Sequence, residues 1–184
     1  MKIERLSING LLLITPLRHG DARGYFSETF RADLFETVAG QHRFVQDNQS
    51  VSAEQGTVRG LHYQKAPHVQ GKLVRVLAGV ILDVAVDIRK GSPTFGQHVA
   101  VELSAENGQQ LWVPPGFLHG FCTLTPDTAV FYKVTDYYHP QCDAAVRWND
   151  PALQIAWPVE AGAATLSAKD RVAPLLADIE PMTL

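Results

Sequence analysis

The chain has 184 residues, 46% of them hydrophobic, and a net charge of -3. That length suits one domain, spanning residues 1–184, with a sizeable buried core, and the scattered charges exclude the basic stripe that neutralises a nucleic-acid backbone. The charged start Met1-Lys2-Ile3-Glu4-Arg5 and the short apolar runs exclude a signal peptide and a membrane span, and Cys122 and Cys142 match neither metal spacing nor a disulfide framework, so a cytoplasmic protein is expected.

From Gly10 onward, short runs of Val, Leu, Ile and aromatic residues alternate with Gly, Pro and Asn turns, which predicts many antiparallel strands. An amphipathic turn or two is expected over Asp33–Val38. Leu73–Leu77 and Ile81–Ile88 read as strands flanking a reversal at Ala78-Gly79-Val80. On the second of these, Leu82, Val84, Val86 and Ile88 share one face by the two-residue period, leaving Asp83 and Asp87 on the other. Further strands are predicted near 97–103, 109–113, 119–125 and 129–138, with a turn at Asn107-Gly108, and a second helix over Val172–Ile179 after Ser167. Helices this sparse are peripheral. The expected fold is therefore all-β, a jelly-roll barrel with a few short peripheral helices, because closure protects strand edges.

Four segments could carry chemistry. Arg59-Gly60-Leu61-His62-Tyr63-Gln64 places an imidazole in a strand; taken alone it reads first as a hydrogen-bonded barrel histidine. Strict alternation puts Arg59 and His62 on opposite faces, so both can line one cavity only if the strand bulges, as Gly60 permits. Pro114-Pro115-Gly116-Phe117-Leu118-His119 has the spacing of the second motif of cupin barrels, in which the histidine joins an earlier His-x-His pair and a Glu on a metal. Here Gln64 stands two positions after His62, the ligand set is broken, and no metal is expected. In Ala129–Val134, Tyr132 shares a face with Val130 and Val134; it is either a packing tyrosine or a proton donor. Ser167-Ala168-Lys169-Asp170 matches a helix-capping box, although Asp170 could instead orient an imidazole.

Five segments in order resemble the dTDP-4-dehydrorhamnose 3,5-epimerase family. They are Asp21–Glu28, Phe44–Ser50, Arg59–Gln64, Pro114–Phe121 and Ser167–Asp170, and the resemblance runs over nearly the whole chain. It implies a cupin-type jelly roll working as a homodimer, with an amino-terminal arm within residues 1–50 exchanged between subunits, and a cofactor-free epimerase acting at C3 and C5 of a dTDP-linked 4-keto-6-deoxyhexose. By the same resemblance His62 is the general base, Asp170 its carboxylate partner, Tyr132 the acid across the ring, and Lys72, with His119 nearby, the group at the developing enolate oxygen. Arg23 and Arg59 would hold the diphosphate and Glu28, Gln46 and Asn48 the nucleotide. Phe26, Tyr138, Asp143 and Lys169 complete the substrate contacts, the aromatic beside the sugar being Tyr137 or Tyr138.

The chemistry is coherent with those roles: a C4 ketone acidifies the hydrogens at C3 and C5, so one base, one acid and a positive group at O4 suffice. Two departures stand out. Asp143 replaces the family's usual Glu, one methylene shorter, and Leu118 replaces a smaller residue before the motif histidine. Competing readings are a single-carbon epimerase on a related sugar, a metal-dependent cupin using His62 and His119, and a sugar-binding jelly roll without turnover.

Overall fold

The computed structural model describes residues 1–184. Thirteen strands dominate: β1 Lys2–Arg5, β2 Leu12–Thr15, β3 His19–Asp21, β4 Gly24–Phe26, β5 Gln46–Ser52, β6 Val58–Gln64, β7 Lys72–Ala78, β8 Val80–Asp87, β9 His98–Ser104, β10 Gln110–Val113, β11 Phe117–Thr123, β12 Thr128–Val134 and β13 Asp143–Ala145. The helices are α1 Ala32–Ala39, the single turn α2 Ala168–Arg171 and a 3₁₀ turn at Leu176–Asp178. The strands form a six-stranded sheet, β1-β2-β10-β7-β12-β5, a five-stranded sheet, β13-β6-β11-β8-β9, and the separate hairpin β3-β4. Every pairing within these sheets is antiparallel, the arrangement of the expected cupin-like β fold.

Alternation sorts the side chains between layers. On β8, Ile81 and Ala85 join Val74, Val76, Leu111 and Phe121 in a core between the two sheets. Val84, Val86 and Ile88 point the other way and pack with Leu61, Leu118, Leu153 and Met182 beneath the carboxyl-terminal segment. The outer face of the six-stranded sheet buries Trp112 against Phe35 of α1, rings edge-on at 5.0 Å. Each such side chain taken fully from water contributes about 1.5–3 kcal/mol.

Four local expectations change. The chain does turn at Gly79, whose φ of +79° suits glycine, but β7 and β8 enter different sheets, so the turn is a corner and not a hairpin. The Asn107-Gly108 turn likewise links strands of different sheets. The expected helix over Val172–Ile179 is replaced by α2, which starts directly after Ser167, and by the 3₁₀ turn. Ser167 Oγ accepts the Asp170 backbone N–H at 3.1 Å, which starts the helix at the cap itself. The strand expected over 129–138 stops at Val134.

Candidate active site

The six-stranded sheet presents rows of inward-facing residues across three strands. Lys72 on β7, Val134 on β12 and Gln46 on β5 are cross-strand partners, and so are Val74, Tyr132 and Asn48 in the next row. Partners directly opposite share a face. Lys72, Tyr132, Gln46 and Asn48 therefore gather on one surface, with Gln46 Nε2 donating to Asn48 Oδ1 at 2.8 Å.

The five-stranded sheet supplies the opposing wall. His62 on β6 pairs with His119 on β11, yet the next partners are Arg59 and Phe121, three residues back on one strand and two forward on the other. That extra residue is the bulge expected at Gly60. A Cβ on Gly60 would stand 2.5 Å from Gly120 Cα, and one on Gly120 would stand 2.8 Å from the Arg59 carbonyl oxygen, so two facing glycines permit the close approach. In consequence Arg59 and His62 line the same cavity.

That cavity has a volume of about 420 Å³ and is lined by Arg59, His62, Lys72, His119, Tyr132 and Asp170, with Ser50, Phe121 and Ser167 among the other walls. His62 and Tyr132 thus come from opposite sheets. His62 Nε2 donates to Asp170 Oδ1 at 2.5 Å, leaving Nδ1 without a protein partner; the imidazole is 32% exposed and the carboxylate 3%. Asp170 thereby uses its backbone N–H for the Ser167 cap and its side chain for the histidine, which resolves the two readings of that box. Burial works to raise the Asp170 pKa, but the hydrogen bonds from His62 and Ser167 and the charge of Lys169 outweigh it and hold the carboxyl ionised.

A second imidazole–carboxylate pair lies deeper. His119 Nε2 donates to Asp83 Oδ1 at 2.7 Å, and both side chains are buried. Asp83 Oδ2 has no hydrogen-bond partner. Lys72 reaches the His62 carbonyl at 3.4 Å, and burial lowers its pKa to about 8, the negative charges of Asp83 and Asp143 limiting the fall. Burial raises the Tyr132 pKa, Arg59 opposes that and Asp143 adds to it, so the phenol is protonated at neutral pH; no carbonyl accepts from its hydroxyl. Arg59 is anchored by Ser52 Oγ and the Val51 carbonyl, each 3.1 Å away. The cavity therefore holds a carboxylate-backed imidazole, a neutral phenol and an ammonium group, the set that can move a proton from one face of a planar enolate to the other.

Other expected contacts lie around it. Asp143 accepts from Lys169 Nζ and from the Tyr138 hydroxyl at 3.2 Å, so Tyr138, Asp143 and Lys169 form one cluster even with the shorter aspartate. Gln46 Oε1 accepts the Tyr138 backbone N–H at 3.0 Å. Tyr137 and Tyr138 are both more than half exposed, and neither lines the cavity. Arg23, Phe26 and Glu28 are not brought to it either: Arg23 stands on the β3–β4 hairpin, paired with Asp21 at 2.5 Å, and Phe26 is 70% exposed. The roles of Ser50, Ser52, Phe121 and Asp83 were not read from the sequence. Ser50 and Ser52 continue the Gln46-x-Asn48 alternation along β5 and could have been found by that period.

The family model described as dTDP-4-dehydrorhamnose 3,5-epimerase matches residues 5–178. A dTDP-4-dehydrorhamnose 3,5-epimerase of Sinorhizobium fredii is 51% identical, the alignment covering 97% of this chain and 91% of the relative. A solved dTDP-6-deoxy-D-glucose-3,5-epimerase of Legionella pneumophila, in complex with dTDP-4-keto-L-rhamnose, is similar with a TM-score of 0.93 and 48% identity over 100% of this chain and 98% of that one. The Bacillus anthracis dTDP-4-dehydrorhamnose 3,5-epimerase, solved with TDP and PPi bound, gives 0.92 and 51% over 95% and 99%. With a family match along nearly its whole length and relatives at half identity, the chain belongs to the dTDP-4-dehydrorhamnose 3,5-epimerase family.

Proposed function

We propose that this protein is an isomerase that inverts C3 and C5 of dTDP-4-dehydro-6-deoxyglucose to give dTDP-4-dehydro-L-rhamnose, by proton transfer alone. The observation that carries this reading is the pair His62 and Tyr132, supplied by opposite sheets to one cavity. His62, backed by Asp170, takes the proton alpha to the C4 ketone. Negative charge gathers on O4, where the Lys72 ammonium and His119 stabilise it. Tyr132 returns a proton to the other face, and solvent resets both groups before the second carbon is treated in the same way.

Arg59 holds the diphosphate, since a guanidinium offers permanent charge and bidentate hydrogen bonds. Gln46 and Asn48 hold the nucleotide, and Tyr138, Asp143 and Lys169 close over the sugar. The remaining expected contacts support a homodimer: Arg23, Phe26 and Glu28 do not line their own cavity, and Leu17, Tyr25 and Phe26 leave large apolar surfaces exposed. In this reading the hairpin β3–β4 is the exchanged arm and completes the cavity of a second copy. No helix is long and apolar enough to cross a membrane. A reducing cytoplasm is part of this reading, and the two buried, unpaired cysteines, Cys122 and Cys142, are compatible with it.

Incubation with dTDP-4-dehydro-6-deoxyglucose in deuterated water, followed by NMR, tests the activity. Deuterium at both C3 and C5 of an inverted product is expected. Label at one carbon alone favours the single-carbon epimerase, and tight binding without any label overturns the assignment in favour of a non-catalytic jelly roll.

A further inference from the structure

Away from the cavity, three side chains from two loops converge. His68 lies between β6 and β7, while Asp136 and His139 lie between β12 and β13. One ligand atom from each falls within 4.8 Å of the other two, and His68 Nδ1 stands 3.1 Å from Asp136 Oδ2. The His68 and His139 rings stack with centroids 3.3 Å apart and planes 17° from parallel, so one ring turns out of the stack for both nitrogens to meet a single ion. All three residues are half-buried, open enough to be reached and enclosed enough to be fixed.

Their backbones are held by two glutamines. Gln64, itself buried, donates to the His68 carbonyl at 2.7 Å and the Tyr137 carbonyl at 3.1 Å, and its Oε1 accepts the His139 backbone N–H at 2.7 Å. Gln70 Nε2 donates to the Asp136 carbonyl at 2.8 Å. Loops anchored in this way leave only side-chain rotations to be ordered when a ligand binds. The donor set is two imidazole nitrogens and one carboxylate, which suits a borderline divalent ion of the first transition row and not magnesium or calcium, whose shells are built from oxygen.

We propose that His68, Asp136 and His139 bind one divalent ion of the zinc class, water completing the shell, and that the ion clamps the β6–β7 loop to the β12–β13 loop. The clamped segment carries Tyr137 and Tyr138, and Tyr138 is the residue tied to Asp143 beside the cavity. The ion therefore orders the rim and takes no part in proton transfer. This inference goes beyond the proposed activity and stands whether or not that activity is found.

The test uses tag-free full-length protein freed of metal by chelation and dialysis, titrated with zinc chloride by calorimetry and with cobalt(II) chloride by visible absorption. One equivalent per chain, a higher Tm with zinc and a cobalt ligand-field band are expected. The variants His68→Gln and His139→Gln each lower zinc affinity at least about tenfold, the scale on which lost metal-site partners act, while His19→Gln and His98→Gln leave it unchanged. Failure of the wild-type chain to bind zinc overturns the proposal, as does binding that survives His68→Gln and His139→Gln together. Because zinc binding and Tm are read without substrate, failure here is distinct from failure of the epimerase reading.

Discussion

Two imidazole–carboxylate pairs stand side by side on β6 and β11, and they differ in how the carboxylate arrives and in what water can reach. Asp83 comes from the adjacent strand β8, on the same face as His119, and the pair is buried. Asp170 comes from α2, more than a hundred residues along the chain from His62, and leaves that imidazole 32% exposed. Local pairing thus yields a fixed polar wall, whereas the distant carboxylate backs a ring that substrate can touch. In the proposed mechanism the exposed pair carries the proton, while the buried pair stays fixed in the wall beside O4; the difference in exposure is what the structure shows.

The comparison breaks first at His62. His62→Asn lowers kcat by roughly a hundredfold to ten-thousandfold, the usual worth of a placed base, with an unchanged Tm; steady-state rates and a thermal melt check both. Lys72→Met comes next, with about a hundredfold loss as the charge opposite O4 disappears. Asp170→Asn follows, because a hydrogen bond to a charged group is worth about 1.5–3 kcal/mol, or roughly tenfold to a hundredfold in rate. Its loss falls on kcat and not KM.

Asp83→Asn sharpens the contrast. It lowers stability by about 1–3 kcal/mol, since a buried amide then faces imperfectly matched partners, and this is read by denaturant unfolding. It also removes one of the two negative charges, Asp83 and Asp143, that sustain the Lys72 ammonium. A lysine with a lowered pKa is cationic below that value, so wild-type kcat falls as pH rises through about 8. In Asp83→Asn that alkaline limb moves to lower pH. In Asp170→Asn it stays, because Asp170 is not among the charges acting on Lys72. The smallest effect on rate is that of Asp143→Asn, which loosens a partly exposed rim pair and changes KM severalfold, in keeping with the ~1 kcal/mol limit for exposed ion pairs; because Asp143 also acts on Lys72, it moves the alkaline limb in the same direction as Asp83→Asn.

Much of this was legible in the chain. The period-two pattern of Leu82, Val84, Val86 and Ile88 separated the faces of β8 correctly, since both faces are buried against different partners. The bulge at Gly60 followed from asking how Arg59 and His62 could share a cavity, and the register supplies it. Local rules failed where sheet membership decides. A glycine turn at Gly79 looks the same whether the next strand pairs with the last or crosses to the other sheet, and that choice depends on non-local burial. That Asp83 pairs with His119 was not legible for the same reason, since it needs the β8–β11 register. The cluster of His68, Asp136 and His139 left no trace at all, because its members meet only through loop geometry.

Deuterium wash-in catalysed by Tyr132→Phe probes the arrangement most directly. With an imidazole on one sheet and a phenol on the other, removal of the phenol leaves the base able to exchange hydrogen at the substrate carbons and return it to the same face. The variant is therefore expected to label substrate without inverting it, while His62→Asn does neither. Full inversion by Tyr132→Phe, or loss of exchange equal to that in His62→Asn, would contradict the assignment of the two groups to opposite faces of the sugar.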